Sequence, residues 1–103
     1  MNGLNENVLT VSQVNGYLKL LIEQDDFLNQ VAVRGELSNC KLHSSGHLYF
    51  TLKDGESELA AIMFRSAATR LPFVPKSGMK VTVYGKISVY EKGGRYQLYA
   101  ETM

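Results

Sequence analysis

The chain has 103 residues, of which 45% are hydrophobic and 20% charged, and its net charge is +1. That is the size and composition of one soluble globular domain, long enough for a single core and too short for two. No apolar run approaches the ~18–20 residues of a membrane span, nothing before Lys19 has the cationic and apolar makeup of a secretory signal, and the lone cysteine, Cys40, excludes an internal disulfide and suits a reducing, cytoplasmic setting.

Residues 1–9 are Asn- and Gly-rich and read as a flexible start. Thr10-Val11-Ser12-Gln13 has the form of a capping box. Behind it Val11, Val14, Leu18, Leu21 and Ile22 recur at helical spacing and predict a helix from Val11 to Gln24. Asp25-Asp26 oppose the helix dipole at that end and mark its stop. From Gln30 the period changes to two. Val31, Val33, Gly35 and Leu37 form one row, with Ala32, Arg34, Glu36 and Ser38 on the other face.

After a polar stretch from Asn39 to Gly46, Leu48, Phe50 and Leu52 resume the alternation. Asp54-Gly55 signals a hairpin into a third strand, Glu58 to Phe64, with Leu59, Ala61 and Met63 inward. The Ala-rich run from Arg65 to Leu71 predicts a short helix, ended by Pro72. Met79, Val81, Val83, Gly85, Ile87 and Val89 make a long row in which Gly85 marks a bulge or bend. Glu91 to Gly94 reads as a hairpin loop before a last strand from Arg95 to Thr102. Five antiparallel strands, with a helical connector between the third and fourth, is the order of a mainly β, five-stranded OB-fold (Greek-key) barrel spanning residues 10–103. An open α+β sheet covered by the first helix is the alternative.

Catalytic chemistry finds little support. One Cys and two His are too few for a Cys/His zinc site. His43 and His47 lack a third ligand nearby, and Glu56 and Glu58 read as solvated hairpin charges. Lys41 and His43 could lower the thiol pKa of Cys40, but no oriented base or oxyanion site accompanies it. No phosphate-cradling glycine loop is present. The sequence therefore implies no catalytic residue, no metal site and no cofactor in this domain.

Nucleic-acid binding finds more. Residues 1–30 carry net −3 and residues 31–103 net +4, and five of the six tyrosines lie in the basic part. Cations interleaved with aromatics are the pattern of single-strand binders. In an OB barrel the loop between strands one and two and the loop between strands four and five flank the ligand groove. The first loop offers Lys41, His43, Ser44, Ser45 and His47 for phosphate and sugar contacts. Tyr49 projects opposite the core row, and Phe64 stands beside Arg65 at the end of strand three. Phe64 either stacks on a base there or packs under the first helix. Lys86, Tyr90 and Arg95 are expected near the strand 4–5 loop, and Arg34, on the outward face of strand one, either joins the site, pairs with Glu36 or sits against the helix.

Val31-Ala32-Val33-Arg34-Gly35-Glu36-Leu37-Ser38-Asn39 resembles the V-x-G-E-[IL]-S-N stretch of exodeoxyribonuclease VII large subunits. Ser44 to Asp54 resembles the S-G-H-x-Y-F-x-L-K-D motif of that family, and Met63-Phe64-Arg65, Val81 to Glu91 and Tyr96-Gln97-Leu98 are similar to its later strands. The resemblance runs from about Val11 to Met103, the extent of that family's N-terminal OB domain. It implies a domain that binds single-stranded DNA for a bacterial cytoplasmic nuclease. Its partners would be the rest of the large subunit and, through regions absent from this chain, the small subunit. The competing expectation is a docking or oligomerisation module using an outward apolar row, Ala60, Ile62 and Phe64.

Overall fold

The computed structural model describes residues 7–103. The loose start expected for residues 1–9 falls largely outside that range, and residues 7–9 carry neither helix nor strand. The elements are α1 (Val11–Glu23), α2 (Asp26–Asn29), β1 (Val31–Leu42), β2 (Leu48–Lys53), β3 (Glu58–Met63), α3 (Arg65–Ala68), β4 (Lys80–Tyr90) and β5 (Arg95–Thr102).

The strands close into a barrel in the order β1-β2-β3-β5-β4, with β4 pairing back onto β1. Four of the five seams are antiparallel, and β3 pairs with β5 in parallel through Ala61↔Leu98 and Ile62↔Tyr99. The expectation of five antiparallel strands is corrected here for a geometric reason. Directions cannot alternate around a closed ring of five, so at least one neighbouring pair must run parallel. The core is the inward alternation: Leu37, Met63, Val83 and Leu98 are fully buried, and Leu48, Phe50, Leu52, Ala61 and Ala100 pack around them.

Two strands bend to serve both halves of the barrel. β1 continues to Leu42, four residues past the expected stop at Ser38, because a bulge between Ser38 and Lys41 lets it turn and keep pairing with β2. Asn39 sits in that bulge at φ 49°, a left-handed conformation that Asn tolerates better than most residues. β4 is irregular between Tyr84 and Gly85, as its glycine foretold. A Cβ at Gly85 would lie 2.1 Å from the Tyr99 carbonyl oxygen, so only glycine lets the β4 and β5 backbones approach this closely.

The first helix forms where its capping box predicts. The Thr10 hydroxyl accepts from the Gln13 amide at 3.1 Å, and the Gln13 side chain accepts from the Thr10 amide at 2.9 Å. Asp25 then caps the unforeseen α2 by accepting from the Leu28 amide at 3.0 Å. Polar groups tie α1 to the barrel. Asn15 donates to the Glu91 carbonyl at 2.9 Å, Lys19 pairs with Glu91 at 3.4 Å, and Glu23 accepts from the Ser88 hydroxyl at 2.7 Å. Ser88, on the outward row of β4, is buried for that reason.

Candidate nucleic-acid interface

An open groove of about 630 Å³ crosses the outer face of β2 and β3 and reaches β5. Its floor is Thr51, Ala60 and Ile62, and Tyr49 and Phe64 rise from it. Lys41, Asn39 and His47 bound one side, and Tyr90, Arg95, Gln97 and Tyr99 the other. Two cations and four exposed or half-exposed aromatics thus converge on one surface. Among the described residues lining it there is no carboxylate.

The loop between β1 and β2 builds one wall from within. The His43 amide donates to the His47 carbonyl at 2.9 Å, and the Gly46 amide donates to the His43 carbonyl at 2.8 Å. The His43 ring accepts from the Ser45 amide at 3.2 Å, and the Ser45 hydroxyl accepts from the His47 amide at 3.4 Å. His43 and Ser45 therefore shape the loop, with His43 also meeting the Tyr49 ring edge-on at 6.0 Å. Ser44 is exposed at the tip.

His47 connects that loop to the end of β3. Its Nδ1 accepts from the Arg65 backbone amide at 2.9 Å, which requires Nδ1 to be unprotonated and puts the ring proton of neutral His47 on Nε2. The same ring packs edge-on against Phe64 at 5.3 Å. Arg65 lies across Gly46, where a Cβ would stand 2.6 Å from the Arg65 Cδ and where φ is +91°. One glycine and one imidazole thus fix both Phe64 and Arg65. Phe64 is 46% exposed and tilts against Tyr99 at 6.0 Å, so it does not pack under the first helix.

At the opposite wall the Arg95 guanidinium lies over the Tyr90 ring, 4.8 Å from its centroid. The two are register partners across the β4–β5 hairpin. Gly93 leaves room for both, since a Cβ there would fall 2.5 Å from the guanidinium and 2.6 Å from the Tyr90 ring.

The structure brings Lys41, His47, Tyr49, Phe64, Tyr90 and Arg95 together, with His43, Ser44, Ser45 and Arg65 at the rim. Two candidates lie elsewhere. Arg34 faces a separate depression with Glu36, Lys53 and Lys80, because β1 pairs Arg34 with Thr82 before it bends toward the groove. Its suggested pairing with Glu36 is taken instead by Lys53, at 3.9 Å. Lys86 is not beside the β4–β5 loop. It pairs with Tyr99 and lines a cleft against α1 that shares Phe64 and Tyr99 with the groove.

Sequence reasoning missed Asn39, Gln97 and Tyr99. Tyr99 was recoverable from alternation, since it stands between the inward Leu98 and Ala100. The apolar row Ala60, Ile62 and Phe64 is part of the groove, with Ile62 buried in its floor. Cys40 is no activated thiol: burial pushes its pKa up, and its Sγ lies 3.8 Å from the Pro75 carbonyl. Among the described residues no group of three His, Cys, Asp or Glu could hold a metal ion, and no helix is long and apolar enough to cross a membrane.

Residues 9–103 match the family described as OB-fold nucleic acid binding domain. The chain is also similar to proteins named exodeoxyribonuclease 7 large subunit. Over 94 residues it is 55% identical to that of Carboxydothermus hydrogenoformans, covering 91% of this chain and 20% of the relative. It is 54% identical over 95 residues to that of Clostridium botulinum strain Hall and 53% over 92 residues to that of Clostridium acetobutylicum, covering 92% and 89% of this chain. The chain spans about a fifth to a quarter of the length of these relatives.

Proposed function

The chain belongs to the family of OB-fold nucleic acid binding domains, and from that premise we propose that it binds single-stranded DNA in the groove between Lys41 and Arg95. We further propose that it presents the strand to the catalytic part of a longer nuclease of the exodeoxyribonuclease 7 large-subunit type, the printed name of its relatives.

The observation that carries this reading is the makeup of the groove. Tyr49, Phe64, Tyr90 and Tyr99 offer rings on which unpaired bases can stack, and Lys41 and Arg95 stand at the two walls where a backbone would pass. Duplex DNA hides its base faces, so such a groove favours single strands. The hydrogen bond from the Arg65 amide to His47 and the stacking of Arg95 on Tyr90 hold these groups in place before a ligand arrives. Pre-organisation of this kind lowers the ordering cost of binding. The chain does no hydrolysis itself in this reading; its role is capture and alignment.

The test is fluorescence anisotropy with labelled single-stranded and double-stranded DNA of equal length at two salt concentrations. Preference for the single strand, weakening as salt rises, supports the proposal. Equal affinity for the duplex would reduce the interaction to nonspecific charge attraction.

A further inference from the structure

The short helix α3 starts without a cap of its own. Phe64 holds its N-cap position, and the phenyl side chain makes no capping hydrogen bond. The amide of Arg65, the first residue of α3, donates instead to His47 Nδ1 at 2.9 Å, on a residue 18 positions earlier in the chain. Imidazole differs from the usual caps in one respect. Ser, Thr and Asn side chains can accept such a bond at any pH. Histidine changes charge between about pH 5 and pH 8, and an imidazolium carries a proton on both nitrogens and accepts nothing.

We infer, building on the single-strand binding proposed above, that His47 is a positioning residue: its neutral form holds Phe64 and Arg65 ready for the strand, and its protonation releases them. The neutral ring makes two contacts at once, accepting from the Arg65 amide and packing edge-on against Phe64 at 5.3 Å. Phe64 in turn tilts against Tyr99 at 6.0 Å, so the pair of rings at this end of the groove leans on His47. Protonation sets an N–H against the Arg65 N–H. The imidazole must then turn away, the Arg65 amide loses its acceptor, and Phe64 loses the ring beside it.

The groups around His47 offer nothing that replaces this bond. Lys41 and Arg95 line the same groove, together with Tyr49 and Tyr99, and among its described lining residues there is no carboxylate to hold an imidazolium. His43, in the same loop, accepts from the Ser45 amide through its own Nδ1. Arg65 extends its side chain over Gly46. In the cleft that shares Phe64 with the groove, Lys19 is paired with Glu91 and Glu23 accepts from Ser88, while Lys86 and Glu101 line the wall. A bound phosphate would attract the imidazolium, an effect opposite in sign to the release. Salt screens that attraction and leaves the lost hydrogen bond, so the release dominates at raised salt.

The test has two arms. In free ¹⁵N-labelled protein, without DNA, NMR follows the His47 ring and the backbone amides from about pH 8 to pH 5, the range in which histidine titrates. At the upper end the ring should carry its proton on Nε2, and the Arg65 amide should shift with the same midpoint as the ring. An Arg65 amide that stays still while the His47 ring titrates would overturn the inference. In the second arm, anisotropy with labelled oligothymidine at raised salt compares the wild type with two variants. Wild-type affinity should fall about tenfold between those pH values, within what one stacked base contributes. His47→Asn puts a carbonyl oxygen that does not titrate near the place of Nδ1, so its profile should be flat. His47→Ala, with no acceptor, should bind weakly at both ends of the range. A His47→Asn variant whose affinity falls as steeply as that of the wild type would overturn the inference, because the proton would then act elsewhere. A chain that binds no single strand at either pH would overturn the proposed function, and the first arm, which needs no DNA, keeps the two failures distinguishable.

Discussion

Phe64 and Arg65 are neighbours with different surroundings, and His47 touches both. Phe64 is half-exposed in the groove, while Arg65 reaches over Gly46 at the rim. Phe64→Ala should therefore weaken single-strand binding by ~1–3 kcal/mol and leave its salt dependence unchanged. Its melting temperature should fall far less than for a fully buried aromatic, whose loss costs ~3–5 kcal/mol. Arg65→Ala should make the slope of log K against log salt shallower by ~0.7, the share of one phosphate contact on a single strand. Binding and melting measured on both variants check this division. A second residue-scale expectation concerns Asp54. Backbone amides of Glu56 and Ser57 donate to its carboxylate at 2.8 and 2.9 Å and hold its pKa below the usual value. A depressed folded pKa means that its stabilising effect is complete above the unfolded value of about 4. The effect fades as pH falls from there through the lower folded value. Asp54→Asn should remove that part of the acid sensitivity, read from melting temperatures between about pH 5 and pH 2.

At the scale of elements, the barrel depends on close backbone approach where β4 passes β5. Gly85→Ala would drive a Cβ into the Tyr99 carbonyl, so the seam must shift. The expected cost is ~1–3 kcal/mol or more, a fall in melting temperature on the order of 10 °C for a domain of this size. Because Tyr99 lines the groove, single-strand binding should weaken as well. Thermal melts and binding curves of the variant test both effects. This glycine was readable in the sequence, because it interrupts a long alternating strand. The inward rows of β2 and β5 were readable for the same reason: a period of two assigns each side chain to a face. The bulge at Asn39 was not, since one inserted residue leaves no mark in a polar stretch and shifts the register beyond it. That is why Asn39 to Leu42 looked like loop. The orientation of α1 was hidden too. Its apolar stripe announces a helix, but periodicity cannot say whether the stripe meets this barrel or another surface. Polar ties from Asn15, Lys19 and Glu23 decide that question, and all three are contacts far apart in sequence.

Across the whole molecule, charge and shape divide the labour. The helices of the acidic part, α1 and α2, buttress one side of the barrel, and the basic part forms the barrel and its groove. The role proposed for the chain is capture and alignment, so the purified chain should leave labelled single-stranded DNA intact with or without Mg²⁺. Cleavage that follows the protein through further purification would contradict that expectation. Of the candidate site, the residues nearest the two loops were legible from sequence, because an OB barrel dictates which loops flank its groove. Arg34 and Lys86 were misplaced because alternation gives a face, not a position around a closed barrel. The central claim, that a single strand lies between Lys41 and Arg95, is tested most directly by mapping backbone amide shifts in ¹⁵N-labelled protein during titration with a short oligothymidine. The account predicts that the perturbed residues form one contiguous set centred on Lys41, Tyr49, Phe64, Arg95 and Tyr99, with the Arg34–Lys80 depression and the outward face of α1 unaffected. Shifts concentrated at Arg34, Lys53 and Lys80, with the groove silent, would contradict it.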